Sequence, residues 1–221
     1  MCGRVSISEQ TSIAKELHLK LADDLARLGN INVPPTLELP VFTDEKPSEL
    51  QYLSWTLIPF WAKGKSKFST FNARIENLKE SGSWKHLLGK KHCVVITDGF
   101  YEWKKLDEKG KKKQAYLIRM KGMRFTLMAG LWDTWVDKNT GELINSCTII
   151  TRLANKEMKF VHDRMPCLLN LDDANVWVNA KFSLDDRFTA LEQLKDDLLE
   201  MHSVTKVGDI DEYKFCSTNK I

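Results

Sequence analysis

Cys93-Val94-Val95-Ile96-Thr97 is an unbroken apolar and β-branched run, and Asp98-Gly99-Phe100-Tyr101-Glu102-Trp103 follows it directly as a strand-end motif. A short run of this composition, closed by Asp-Gly, reads as a β-strand. Working outward, similar runs recur at Leu37–Phe42, Leu50–Leu57, Ala115–Met120, Phe125–Trp132, Ser146–Thr151, Met165–Leu169 and Val204–Val207. Asp107-Glu108-Lys109-Gly110 and Asp137-Lys138-Asn139-Thr140-Gly141 read as hairpin tips between them. Helical patterns are expected at the margins, over Glu9–Leu21 with Ile13 and Leu17 on one face, Trp84–Leu88, Leu171–Ala180 and Phe188–Met201. The β-α alternation of a parallel sheet is missing. The expected fold is therefore α+β, a single domain over residues 1–221 built mainly on antiparallel strands with peripheral helices.

The composition bounds the class. The 221 residues are 43% hydrophobic, enough for a sizeable core. Cys2, Cys93, Cys147, Cys167 and Cys216 are odd in number and scattered, with no C-x-x-C, which argues against a disulfide framework or a zinc site and for a reducing compartment. No apolar run approaches 18 residues and no leader is evident, so the expectation is a soluble, cytoplasmic protein without membrane contact. The net charge of +3 conceals an asymmetry. Asp172 to Glu200 holds eight acidic residues against Lys181, Arg187 and Lys195, so the rest of the chain is strongly basic. Lysines cluster at Lys63, Lys65 and Lys67, at Lys85, Lys90 and Lys91, and from Lys104 to Lys113. A basic body suits a polyanionic partner, and solvated surface lysine accounts for the same pattern.

The start, Met1-Cys2-Gly3-Arg4, carries the most distinctive chemistry. Removal of Met1 would leave Cys2 with a free α-amine and a thiol two carbons apart. Such a 1,2-aminothiol condenses with an aldehyde to an imine, and the thiol then closes a thiazolidine. With Met1 retained the Cys2 nitrogen is an amide, and no imine can form there. Polar motifs also interrupt the strands: Asn72-Ala73-Arg74-Ile75-Glu76, Tyr101-Glu102-Trp103 and His162-Asp163-Arg164-Met165-Pro166. A carboxylate between aromatics, if buried, rises in pKa toward general acid–base use, whereas strand alternation alone would point Glu102 at solvent. His162 is either a proton-transfer group or a histidine paired with Asp163.

With Asn32-Val33-Pro34-Pro35 and Trp55-Thr56-Leu57-Ile58-Pro59, these motifs occur in the order of the SOS-response-associated peptidase (SRAP) family, which the chain resembles from residue 2 to about Gly208. The resemblance implies a barrel-like, β-rich domain, a monomer, that binds single-stranded DNA and captures abasic sites as a thiazolidine crosslink through Cys2, with no cofactor and no metal. It implies that Cys2 is the nucleophile, Glu102 a proton shuttle, His162 an aid to sugar-ring opening and reversal, and Asn72 an amide that holds the amine or a sugar oxygen. Arg4, Arg74 and Arg164 would meet phosphates, and Asn32 and Pro35 belong to the DNA-binding set. Trp55, Trp61 and Trp103 would stack or wedge against bases, or serve the core. One departure is Gly29-Asn30-Ile31 before Asn32, where many relatives carry an Arg-Tyr pair, which puts in doubt a phosphate contact by arginine there, while Asn32 and Pro35 still match. Two other readings remain open: a thiol peptidase using Cys2 with His162 and Glu102, including autoremoval of Met1, and a non-covalent reader of modified bases.

Overall fold

A computed structural model describes residues 2–7, 10–21, 29–64, 70–192 and 196–209. Met1, Glu9, Lys65, Lys67 and Lys195 lie outside the described residues. The chain opens with β1 (Val5–Ile7), α1 (Gln10–Glu16) and β2 (Lys20–Leu21), then runs through β3 (Asn30–Val33), β4 (Glu38–Thr43), β5 (Glu49–Trp55) and β6 (Asn72–Arg74). A single helical turn at Ile75–Asn77 leads toward β7 (His92–Thr97), β8 (Gly99–Lys105), β9 (Lys113–Met120), β10 (Thr126–Val136) and β11 (Leu143–Leu153). A second short turn, Met158–Phe160, precedes β12 (Arg164–Pro166), β13 (Leu168–Leu169), α2 (Leu171–Val178), α3 (Leu184–Glu192) and β14 (Leu199–Val204).

The strands form two sheets, ordered β14-β9-β8-β1-β3 and β12-β11-β10-β7-β4-β5-β2, with β13 added to β10 and β6 to β11. Pairing is antiparallel except where β5 and β6 meet β11 and where β2 meets β5. Every residue of β7 is buried, because it lies between β4 and β10 with both faces covered. That is why its sequence is a continuous apolar run rather than an alternation. At Asp98-Gly99 the chain passes from β7 of one sheet to β8 of the other. A Cβ at Gly99 would stand 2.6 Å from the Ile118 carbonyl oxygen, so this crossing demands glycine. One core joins the two sheets, with Cys2, Val5, Phe100 and Ile118 of the smaller sheet's side packed in the same cluster as Val95, Leu127 and Ile149.

The expected β-rich α+β class holds, as do both hairpins: β8–β9 turns at Gly110 (φ 62°) and β10–β11 at Gly141 (φ 75°). Several elements differ from the sequence reading. The expected Glu9–Leu21 helix stops at Glu16, because His18 adopts φ 52° and Lys20–Leu21 pair as a strand with β5. Trp84–Leu88 forms turns closed by Trp84 N–H to Ser81 O (3.1 Å) and Leu87 N–H to Trp84 O (2.9 Å), not a helix, while Trp84 and Leu87 fill the core. The Phe188–Met201 helix begins earlier and ends earlier. Ser183 and Asp186 cap α3 reciprocally, with the Ser183 hydroxyl donating to Asp186 Oδ2 at 2.6 Å, and Leu199 already pairs with Met120 in β14. The Met165–Leu169 run is split between β12 and β13, and the Val204–Val207 strand lies instead at Leu199–Val204.

Candidate functional site

The site is assembled by two strands that receive short motifs. Along β8, β1 lies antiparallel with Val5 opposite Phe100, and the Tyr101 amide donates to the Arg4 carbonyl at 2.9 Å. Continuing that register carries Gly3 and Cys2 beside Glu102 and Trp103. Along β11, β6 pairs on one edge (Thr151 with Arg74) and β12 on the other (Thr151 with Pro166). This one strand therefore brings the Asn72 and His162 motifs, 90 residues apart in sequence, to its two edges.

Cys2 is fully buried, and its carbonyl accepts a 2.7 Å hydrogen bond from Asn72 Nδ2. Burial pushes the thiol pKa far up, and the nearby Glu102 carboxylate raises it further, outweighing the Arg4 amide that favours the thiolate. At neutral pH the Cys2 sulfur therefore carries its proton. Glu102 is only 3% exposed, so the solvent-facing alternative for this strand residue does not hold. Asn72 Oδ1 is buried with no hydrogen-bond partner among the described residues, an acceptor left in hand beside Cys2.

His162 is half-buried, and its Nδ1 faces two groups that demand opposite proton states. The Arg164 amide N–H donates to Nδ1 at 3.0 Å, which requires a lone pair there, while Asp163 Oδ1 stands 2.8 Å from the same nitrogen. The Nε2–H tautomer satisfies the amide, and any form with a proton on Nδ1 satisfies the carboxylate. Nδ1 thus has a partner with or without its proton.

The other expected site residues divide. Arg4 Nη1 donates to Asn32 Oδ1 at 2.7 Å, tying the N-terminal segment to β3, and Tyr101 Oη donates to the Ile31 carbonyl at 3.0 Å to hold the same loop. Pro35 is half-buried in the turn that follows, and Arg74 is exposed. Trp61 is 56% exposed on the Pro59–Ala62 turn, which the Phe60 amide fastens to Asp133 Oδ2 at 2.8 Å. Trp103 is half-buried. Two expectations are corrected. Trp55 is fully buried, donates Nε1–H to the Phe71 carbonyl at 2.9 Å and packs edge-on against Phe71; it supports the strand ends and offers no face to a base. Arg164 is 7% exposed and its fork is taken by Glu76, with Nη1 to Oε1 at 2.7 Å and Nη2 to Oε2 at 3.0 Å, while Nη2 also reaches the Thr151 carbonyl at 2.8 Å. It is a strut between β11, β12 and the Ile75–Asn77 turn rather than a phosphate ligand.

Glu76 is the residue that the sequence reading did not assign, although it stands two positions from Arg74 in a quoted motif; the pairing of His162 with Asp163 is present as the alternative reading has it. An open cleft of about 980 Å³ is lined by residues that include Trp103, His162 and Asp163. Among the described residues no group of three or more His, Cys, Asp or Glu side chains could hold a metal ion, and no helix is long and apolar enough to cross a membrane.

Comparison with known proteins adds to this geometry. A family model described as SOS response associated peptidase (SRAP) matches residues 1–209. Abasic site processing protein YoqW of Bacillus subtilis is 34% identical over 215 residues, covering 94% of this chain and 93% of that protein. Abasic site processing protein YobE of the same organism is 35% identical over 200 residues, covering 86% of this chain and 88% of its own. Abasic site processing protein HMCES of Xenopus tropicalis is 34% identical over 165 residues, 65% of this chain but 49% of that longer protein. A crystal structure of a protein from Bacteroides thetaiotaomicron superposes over the whole of both chains with a TM-score of 0.83 at 24% identity, a likeness of fold.

Proposed function

The chain belongs to the SOS response associated peptidase family, and from that premise we propose that it captures abasic sites in single-stranded DNA as a covalent crosslink through Cys2. The observation that carries the reading is the buried Cys2 held by Asn72 beside the buried Glu102. Full-length relatives named for abasic site processing supply the substrate class.

The reaction needs the Cys2 amine free, hence a chain that starts at Cys2. The amine attacks the C1′ aldehyde of the ring-opened deoxyribose, forming a C–N bond, and the carbinolamine loses water to give the imine. The thiol then adds across C=N: a C–S bond forms, the sulfur proton passes to nitrogen, and no redox change occurs. The order of steps calls on the sulfur only once the imine is in place. In the chain that retains Met1, the raised thiol pKa disfavours a thiolate-first removal of that residue, which needs a depressed pKa. Glu102 moves protons between amine, carbinolamine and leaving water. His162 assists opening of the furanose, using Asp163 and the Arg164 amide to hold its two proton states. Asn72 fixes the Cys2 backbone and offers Oδ1 to the amine. Arg4 and Arg74 meet flanking phosphates, Trp61 and Trp103 meet bases, and the protein works as a monomer.

The test is intact mass of the protein after mixing with a single-stranded oligonucleotide that carries one abasic site. Two preparations are compared, one verified to begin at Cys2 and one verified to retain Met1. The expected result is an adduct of protein plus oligonucleotide less one water for the first form alone. Equal adduct from the Met1-bearing form would overturn the amine-dependent chemistry.

A further inference from the structure

We propose that the open cleft beside His162 is a second nucleic-acid subsite, which receives the strand leading away from the lesion by stacking a base at Phe160 and holding phosphates at Lys104, Lys105 and Lys159. The proposal deepens the abasic-site reading and rests on it for the identity of the strand. Four cations, Lys104, Lys105, Arg152 and Lys159, line the cleft against the single carboxylate of Asp163. Asp163 is at the His162 end and faces that ring, so the rest of the cleft presents positive charge alone. Arg152 is partly committed, since Nη1 donates to the Leu191 carbonyl at 2.8 Å and fixes the cleft wall to α3. Lys104 rests on the Phe160 ring, and Lys105 and Lys159 present their ammonium groups to a ligand.

The aromatic lining points to a single strand rather than to any polyanion. Phe160 is 56% exposed, on the short turn immediately before His162, although α3 and the sheets offer ample core. The Lys104 ammonium sits 3.2 Å from its ring centroid, and Tyr116 meets it edge-on at 5.9 Å. The ring thus pre-positions a cation while leaving more than half of the residue's surface open. A base stacked on an aromatic next to lysine-held phosphates is the sequence-tolerant mode of single-strand binding. A duplex keeps its bases stacked on each other and gains only the phosphate part. Trp103, next to Glu102 in β8, and His162 both line the cleft, which gives a strand whose abasic sugar reaches Cys2 and Glu102 a path into it. Further lysines, among Lys109 to Lys113, follow along the β8–β9 hairpin.

The experiment uses the full chain starting at Cys2, with Phe160→Ala and Lys159→Glu as variants and thermal melting as the check that both fold. Capture is timed on abasic oligonucleotides with two nucleotides on each side of the lesion, and on the same lesion extended by six on the 5′ side or on the 3′ side. Extension on one of the two sides is expected to speed capture by about ten-fold at limiting oligonucleotide, the size of one stacked base. Each variant should abolish that gain and leave capture of the short oligonucleotide unchanged. Retention of the gain in both variants would overturn the subsite. Undamaged single strand and duplex of equal length, followed by fluorescence anisotropy, separate the two layers of the argument. Weakening of single strand by Phe160→Ala, with no adduct formed by any abasic oligonucleotide, would support the cleft while sinking the crosslinking reading. Equal weakening of duplex and single strand by Phe160→Ala would overturn the stacking contact.

Discussion

The Cys2–Glu102 end of the site and the Phe160–Lys159 cleft, linked through Trp103 next to Glu102 in β8, are opposite in physical character. At the first, the thiol and the carboxylate are stripped of water, and even the Cys2 carbonyl is bound by a protein amide. At the second, an aromatic ring and several ammonium groups are left in solvent. Burial sharpens proton transfer by making each charge costly, whereas an exposed ring with mobile cations suits a ligand whose sequence varies. The two arginines that flank the site repeat the contrast. Arg164 is locked on Glu76 inside the molecule, and Arg74 is exposed to solvent.

Removing the buried nucleophile should have the largest effect. Cys2→Ala is expected to abolish the adduct that survives denaturing gels without borohydride, leaving at most an imine that must be reduced to be trapped. An equally stable adduct in this variant would remove the thiol from the mechanism. Next, Glu102→Gln should slow adduct formation by roughly 10²-fold in quenched time courses, the low end of general acid–base effects, with binding of undamaged DNA unchanged. If both rate and binding were unaffected, the buried end would be a packing feature and the contrast would collapse.

Arg164→Met should cost about 2 kcal/mol in urea unfolding, since it removes charge-assisted hydrogen bonds to Glu76 and Thr151. Its salt dependence of DNA binding should match the wild type's. Arg74→Ala should do the reverse, with stability preserved and the slope of log K against log salt reduced by about 0.7, one phosphate contact on a single strand. Exchange of these two phenotypes would show that the strut and the phosphate ligand have been assigned the wrong way round.

The smallest effect is on pH dependence, and it reports on the interior alone. Burial raises the Cys2, Cys93 and Cys147 thiols far up and Cys167 to about 12, so the folded chain keeps protons that the unfolded chain sheds above about 8.5. Stability should fall as pH rises past that value. His92 is lowered to about 4 by burial and by Arg187; its Nδ1 faces the Trp177 carbonyl and its Nε2 accepts from the Gly89 amide. The unfolded chain takes up that proton first, so stability should also fall as pH drops below about 6.5, down to about 4. Melting temperature against pH should show a plateau between these limits, and His92→Gln should flatten the acid side. An unchanged acid side in the variant would mean that other groups carry it.

Much of this molecule was legible in the order of its residues. Cys93–Thr97 announces a buried strand because five consecutive β-branched or small apolar residues have no polar face to show. Asp107–Gly110 and Asp137–Gly141 announce turns because glycine supplies the positive φ that each needs. The ordered motifs identify the family, and the 1,2-aminothiol of Cys2 can be written down from covalent chemistry. Local pattern could not say that Leu199–Val204 would leave a helical-looking stretch to pair with β9, because the partner strand lies about 80 residues away. Nor could it sort the tryptophans and arginines. Trp55 and Trp61 have the same side chain six positions apart, and Arg74 and Arg164 the same fork, yet one of each pair is core and the other is exposed. Residue type and spacing determine which chemistry a side chain can perform. Whether it faces Glu76, Phe71 or water is set by long-range strand pairing, and that decision belongs to the tertiary structure.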